Sequence, residues 1–324
     1  MTISDAVAEA SITTAATKIA PYILPTPLLF SPVLCDLLGR RVSLKYELFQ
    51  RTNSFKPRGA FHKLLSLSET ERACGLVAVS GGNHGKAVAY AAGHLGLQAR
   101  ILMFTSTAAS AVAFCREAGA TVELLPDPAA AFARANELEA EGLTFVHPFA
   151  DPAVIAGQGT MGLELLAAAP DVTDVIASIG GGGMIGGVAV AIHAQRPEVR
   201  IWGVETVGAD AMSQALSAGH PVRLPAVTSL AATLGAPEVS PLTLQLAQQH
   251  LHANLVFPDR NVVADALWLL DQAKLLCEPA AACTLTAARE IAASLPPDAH
   301  LVLIICGGSL TLAELLGFKN RVGL

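Results

Sequence analysis

The stretch Leu76-Val77-Ala78-Val79-Ser80-Gly81-Gly82-Asn83-His84-Gly85-Lys86 decides the fold. Four apolar residues stop at a serine and two glycines, and Lys86 to His94 then carries a helical pattern towards a second apolar run, Arg100 to Phe104. Strand, glycine break, helix and strand are the parts of a βαβ unit. The alternation continues outward. Thr121 to Leu125 reads as strand, Ala129 to Glu141 as helix and Leu143 to His147 as strand. After His147-Pro148-Phe149, the segment Gly159 to Ala168 reads as helix, Val175 to Ile179 as strand, Met184 to Gln195 as helix and Arg200 to Val204 as strand. Helical stretches at Val262 to Leu276 and Ala280 to Ser294 precede a strand at Leu301 to Ile305 and a closing helix. Such alternation predicts an α/β protein with largely parallel sheets. Pro148 and Pro152 bracket a crossing between two sheets, so residues 47–148 are expected to form a smaller domain and residues 1–46 with 149–324 a larger one.

Composition narrows the function. The chain has 324 residues, 52% hydrophobic and 15% charged, which suits a packed core and excludes long disordered stretches. A net charge of -6 without a basic run leaves no footprint for nucleic acid or an anionic membrane. Val175 to Ile192 lacks charge over eighteen residues, but its six glycines argue for strand, loop and helix in place of one membrane span. The six cysteines form no CxxC pair, and Met1 to Ala10 carries Asp5 and Glu9 where a secretory signal would be basic and then apolar. The expectation is a reduced, cytoplasmic protein acting on a small molecule.

Several segments carry candidate chemistry. In Asn53-Ser54-Phe55-Lys56-Pro57-Arg58-Gly59-Ala60, proline disfavours the α region for the residue before it and suits the first helical position. Lys56 is therefore expected to be extended at a strand-to-helix junction, with its amine aimed as a Schiff-base lysine would be; the competing reading is a solvated lysine. Gly180-Gly181-Gly182-Gly183 lies between a strand and a helix, where backbone N–H groups converge on a phosphate. Gly181, Gly183 and Gly186 with Glu205 also satisfy a dinucleotide-binding pattern, which keeps a nicotinamide-dependent oxidoreductase open. Ser80 to Gly85 suits a carboxylate, while Lys86 reads as a surface charge and the His84 ring as structural. Cys306-Gly307-Gly308-Ser309 follows a buried strand and places a thiol against a ligand or in the core. Glu205 to Asp210 offers carboxylates and carbonyls to a cation or to solvent.

Together these segments resemble the fold-type II pyridoxal-phosphate enzymes, a two-domain architecture like the tryptophan synthase β chain, and within them the serine/threonine dehydratase group that includes serine racemase. Ser54 to Ala60 is similar to the family's S-F-K-x-R-G-A motif. The resemblance implies that Lys56 binds the cofactor covalently, Phe55 packs near it, Asn83 bonds its ring hydroxyl, and Gly180, Gly181, Gly182, Gly183 and Met184 hold its phosphate. It implies that Ser80, Gly81, Gly82, Asn83 and His84 receive the substrate carboxylate and that Cys306 faces the pyridine nitrogen. It also implies a homodimer and a cation site at Glu205, Ala209 and Ala211. At the position of Ala211 the family has an oxygen-bearing ligand, whereas alanine offers only its carbonyl, so a monovalent cation is the expected occupant. A neutral thiol at the pyridine nitrogen makes a weaker electron sink than a protonating carboxylate, which favours β-elimination. Gly81 stands where racemases carry a serine acid/base, so racemisation is expected to be weak or absent. The expected activity is dehydration and deamination of threonine, serine or a β-aryl serine to a 2-oxo acid and ammonia. A racemase, a β-replacement enzyme and a cofactor-binding protein without turnover are the alternatives.

Overall fold

The computed structural model describes residues 7–324, so the first part of the N-terminal stretch read against a signal, including Asp5, lies outside the described residues. The strands are β1 (Leu28–Phe30), β2 (Arg41–Lys45), β3 (Leu76–Val79), β4 (Ala99–Phe104), β5 (Thr121–Leu125), β6 (Thr144–Phe145), β7 (Asp174–Ser178), β8 (Arg200–Thr206), β9 (Ala253–Phe257) and β10 (His300–Ile304). The helices of the first half are α1 (Glu9–Ile19), α2 (Pro32–Leu38), α3 (Pro57–Leu65), α4 (Glu69–Cys74), α5 (Asn83–Leu95), α6 (Ala109–Glu117) and α7 (Pro128–Ala140). Those of the second half are α8 (Pro152–Ala168), α9 (Gly183–His193), α10 (Ala211–Ala218), α11 (Pro241–His250), α12 (Asp259–Gln272), α13 (Pro279–Ile291) and α14 (Leu312–Arg321).

The strands sort into a six-stranded sheet in the order β1-β2-β10-β7-β8-β9 and a four-stranded sheet in the order β5-β4-β3-β6. All neighbours are parallel except β1, which runs antiparallel to β2. Parallel strands covered on both faces read as continuous apolar runs. That is the character of β3, β7 and β10, buried along their whole length. The chain passes from β6 in one sheet to β7 in the other through Pro148 and Pro152, and β1 and β2 belong to the larger sheet.

Some boundaries differ from expectation. α8 begins at Pro152, seven residues before the expected Gly159. Asp151 caps it by accepting the N–H groups of Ala153 and Val154, and proline suits its first turn. Glycines within α8 serve contact: a Cβ on Gly157 would lie 2.5 Å from the Arg58 carbonyl and one on Gly159 2.8 Å from that of Gly187. The helix therefore packs backbone to backbone against α3 and α9. α5 opens at Asn83, three residues early, which places the candidate carboxylate loop on a helix N-terminus. The uncharged stretch Val175 to Ile192 divides into β7, a glycine loop and α9. Among the described residues, no helix is long and apolar enough to cross a membrane.

Candidate active site

The loops that follow β3, β7 and β10 bear the expected residues at the carboxyl ends of their strands, where open α/β sheets bind ligands. The loop after β10 also pairs with the segment leading to Lys56. Phe55 donates its backbone N–H to the Cys306 carbonyl at 3.0 Å, Gly308 donates to the Asn53 carbonyl at 2.9 Å, and Ser54 bridges Gly307. This pairing requires a sharp bend, and Asn53 takes it with a φ of 60°.

Lys56 departs from expectation. Its backbone is helical, with φ -55° and ψ -31°, and it is the N-cap of α3. The preference of a residue before proline for extended geometry is offset because the Lys56 carbonyl accepts the Ala60 N–H at 3.1 Å. The side chain is nevertheless aimed. Its Nζ donates to the Pro148 carbonyl at 2.9 Å and lies 5.1 Å from the Phe55 ring centre. Burial pushes the Lys56 pKa down to about 8, with the nearby Cys306 opposing the shift. Burial likewise pushes the Cys306 thiol up to about 12, so it is neutral at physiological pH, and the Ser178 hydroxyl donates to its sulfur at 3.4 Å.

Beneath Lys56 lies a buried charge network that fixes α3. Arg58 reaches Glu47 through Nε and Nη2 at 2.8 Å each and Glu164 at 2.7 and 2.8 Å, while Lys45 approaches Glu164 at 2.5 Å. Burial alone would raise the Glu47 pKa, but Arg58, Lys45 and the Thr26 hydroxyl together outweigh it and hold the carboxyl below its ordinary value.

At the N-terminus of α5 the Ser80 hydroxyl accepts the Gly82 N–H at 3.1 Å, and the first bond within the helix runs from the Lys86 N–H to the Gly82 carbonyl. The N–H groups of Asn83, His84 and Gly85 precede it and have no partner within the helix, an arrangement that suits an anion. A Cβ on Gly82 would face open space, whereas one on Gly81 would lie 2.5 Å from the Thr107 Oγ1. The His84 ring has the structural role expected of it: it is buried, bonds the Val146 carbonyl at 2.8 Å, and burial pushes its pKa down to about 3. Lys86 is not the surface charge expected. It is half-buried and donates to the Ser309 hydroxyl at 2.6 Å.

Gly180 to Gly183 lead into α9, with Gly182 in the left-handed region at φ 86°. A Cβ on Gly180 would press at 3.3 Å on the Leu234 backbone, and one on Gly181 would fall inside the Phe149 ring. The first bond within α9 runs from the Gly186 N–H to the Gly182 carbonyl, which leaves the N–H groups of Gly183, Met184 and Ile185 for another acceptor. The Met184 side chain itself is core.

Glu205 has neighbours that the sequence did not show. It is fully buried at the N-terminus of α10, accepting the N–H groups of Met212 and Ser213 at 2.8 Å each and the Asn254 amide at 2.6 Å. Burial raises its pKa to about 7 against these donors. A carboxylate so engaged is out of reach of a ribose, which removes the dinucleotide reading. Ala209 and Ala211, named with Glu205 for a cation, are both buried beside it. Among the described residues, no group of three or more histidine, cysteine or acidic side chains could hold a metal ion.

The sequence reading passed over Glu278, Thr233 and Phe149. Glu278 is buried, and its carboxylate accepts Asn83 Nδ2 at 2.9 and 3.2 Å, the Ser309 N–H at 2.8 Å and the Thr233 hydroxyl at 2.9 Å. An acid followed by Pro279 at a helix start was the available signal. The fit to pyridoxal phosphate rests on three features: a buried amine at Lys56 with its pKa lowered to about 8, an N–H cup too tight for any Cβ, and the Asn83 Oδ1, buried without a partner. These would take the aldehyde, the phosphate and the ring hydroxyl respectively.

Comparison with known proteins agrees. The family model described as "Pyridoxal-phosphate dependent enzyme" matches residues 19–307. An L-threonine ammonia-lyase of Thermotoga maritima is 40% identical over 79% of this chain, which spans 65% of that protein's length. A phenylserine dehydratase of Ralstonia pickettii is 36% identical over 95% of this chain and 94% of its own. Maize serine racemase superposes with a TM-score of 0.92 at 31% identity, covering 98% of both chains. The processed form of threonine deaminase isoform 2 from Solanum lycopersicum gives 0.89 at 30% identity, covering 97% of this chain and 94% of the other. The chain belongs to the pyridoxal-phosphate dependent enzymes and, among them, to the fold-type II serine/threonine dehydratase group related to serine racemase.

Proposed function

We propose that this protein is an ammonia-lyase that removes water and then ammonia from a β-hydroxy amino acid, with threonine, serine and β-phenylserine as the substrate class. The observation that carries this reading is the pairing of the Lys56 amine, neutral in part near pH 8, with a neutral thiol at Cys306. When bound, pyridoxal phosphate supplies an electron sink for the substrate's α carbon. Lys56 would hold the cofactor, and its Nζ, when free, would take the substrate's α proton. The N–H groups at the start of α5, with Ser80, Gly81, Gly82, Asn83 and His84, hold the substrate carboxylate. Those of α9, with Gly180 to Met184, would hold the cofactor phosphate, and Phe55 would pack beside the cofactor. Cys306, a neutral thiol, would face the pyridine nitrogen without protonating it, which would leave the β substituent's departure as the ready outlet for charge.

The Thermotoga and Ralstonia relatives support the elimination and bracket the substrate's β substituent. The racemase neighbours favour a second reading, α-proton return on the opposite face. Gly81 has no group to donate that proton, and Thr107 Oγ1 occupies the space where a serine Cβ would stand. The cation expected at Glu205, Ala209 and Ala211 plays no part in this account, since Glu205 acts as a cap of α10. Residues 47–148 around the smaller sheet are taken as the smaller domain, a homodimer as the assembly and the cytoplasm as the location; light scattering of the purified holoenzyme tests the dimer. Incubation with L-threonine, L-serine and L-threo-phenylserine, followed by 2-oxo acid and ammonia release, tests the activity. Release from at least one supports it, and release from none refutes it.

A further inference from the structure

Lys86 follows Asn83, His84 and Gly85 in α5, the residues whose N–H groups have no partner within the helix. The place is unfavourable for an amine on two counts. A protonated amine at this end of a helix opposes the positive pole of the dipole, and burial pushes the Lys86 pKa down. The side chain nevertheless turns inwards. Its Nζ donates to the Ser309 hydroxyl at 2.6 Å and lies 5.8 Å from the centre of the Phe114 ring. Ser309 is itself fixed: its N–H donates to the Glu278 carboxyl group at 2.8 Å and its hydroxyl to the Thr52 carbonyl at 3.3 Å. Thr52 belongs to the segment that leads to Lys56, and Ser309 to the one that begins with Cys306. One side-chain contact thus joins the helix that opens with the candidate carboxylate loop to both segments that bear candidate cofactor contacts.

We propose that Lys86 is a positioning residue: through Ser309 it sets the distance from the start of α5 to the Lys56 and Cys306 segments, which makes the site selective for α-amino acids. The proposal rests on the reading above, in which α5 takes the substrate carboxylate and Lys56 holds the cofactor. An α-amino acid joins its amine to its carboxylate through a single carbon, so the two subsites must keep one separation closely. They stand on different sheets, since α5 follows β3 of the four-stranded sheet and Ser309 follows β10 of the six-stranded one. A bond between the two parts is what holds that separation. No proton is transferred and no covalent bond changes.

The test titrates three holoenzymes, Lys86→Met, Ser309→Ala and the double variant, with L-alanine, which carries the amine and the carboxylate but has no β substituent to lose. The change in visible absorption gives its dissociation constant, and titration of the cofactor-free proteins gives that of pyridoxal phosphate. Each single variant is expected to weaken L-alanine binding about three- to tenfold, the value of one hydrogen bond, and to bind pyridoxal phosphate within about twofold of wild type. The double variant is expected to match the weaker single variant, because both changes remove the same contact. Unchanged L-alanine binding in either single variant overturns the proposal, as does a double variant whose loss is the product of the two. A merely structural contact would weaken L-alanine and pyridoxal phosphate alike, and that result overturns it too. Where Lys86→Met fails to fold, Ser309→Ala removes the same bond and decides the matter. Borohydride trapping in the wild type separates the two claims. If pyridoxal phosphate is not trapped on Lys56, the parent reading fails; if it is trapped and L-alanine binding does not move, only the role of Lys86 fails.

Discussion

Phe55 donates its backbone N–H to the carbonyl of Cys306 at 3.0 Å, so the residue before Lys56 is tied to the strand end that carries the thiol. Two candidate cofactor contacts are thereby set by a single hydrogen bond between distant parts of the chain. Such a contact fixes the backbone from which the lysine stem reaches, and the Pro148 carbonyl holds the amine at its end.

The lowered pKa of Lys56 gives a pH dependence whose sign can be worked out. The ordinary value is 10.5 and the folded value about 8, so the unfolded chain binds more protons between them and stability of the cofactor-free protein rises with pH across that window. The neutral amine is the form that attacks an aldehyde, about a tenth of the population at pH 7. Stopped-flow mixing of cofactor-free protein with pyridoxal phosphate is expected to show a rate that climbs with pH to a midpoint near 8. A midpoint above 10 would mean that Lys56 is not desolvated.

The glycine cup predicts a loss of cofactor affinity on the smallest enlargement. A methyl group at Gly181 meets the Phe149 ring, and overpacking of this kind costs about 1–3 kcal/mol. Gly181→Ala is expected to weaken pyridoxal phosphate binding by about tenfold or more. Titration of the visible absorption measures it, and the double variant with Phe149→Ala should recover part of the loss.

Gly81 and Thr107 predict the difficulty of converting this site to a racemase. In Gly81→Ser the new Cβ stands 2.5 Å from Thr107 Oγ1, which is itself held by the Phe104 N–H at 3.2 Å. Gly81→Ser alone is expected to reduce deamination, and Gly81→Ser with Thr107→Ala to restore it and to permit exchange of the substrate's α hydrogen in deuterated water. Exchange in the single variant at the level of the double would contradict this packing.

Glu47 and Arg58 carry a prediction about stability. Removing one partner of a buried ion pair costs about 3–5 kcal/mol when the other charge is left uncompensated, and Arg58 keeps Glu164 at 2.7 and 2.8 Å, so the loss here falls below that range. Glu47→Ala is expected to lower the denaturation midpoint accordingly and, because Arg58 lies in the first turn of the helix that Lys56 caps, to reduce cofactor retention as well. Urea denaturation of the cofactor-free protein reads the first effect apart from the second.

The sheets were legible in the sequence because buried parallel strands are short apolar runs, and β3, β4, β5, β7, β8 and β10 lie within a residue or two of their expected places. The glycine loop and the Lys56 segment stood out in the sequence for a related reason, since the roles proposed for them rest on residues near one another in the chain. Glu278 was not, because its importance comes from Asn83, Thr233 and Ser309, which only the folded chain brings together. The backbone of Lys56 was misread because a local preference, extended before proline, gave way to a helix whose position is set by the Arg58 network and the bond from Phe55 to Cys306. Lys86 was misread in the same way, as its partner Ser309 lies more than two hundred residues along the chain.

The central claim is that Lys56 carries pyridoxal phosphate. Borohydride reduction of the purified holoenzyme, followed by proteolysis and mass spectrometry, tests it most directly. The account predicts a phosphopyridoxyl group on the peptide containing Lys56, loss of the visible band, and loss of deamination in both the reduced enzyme and Lys56→Ala. A label on another lysine, or full activity in Lys56→Ala, would contradict it.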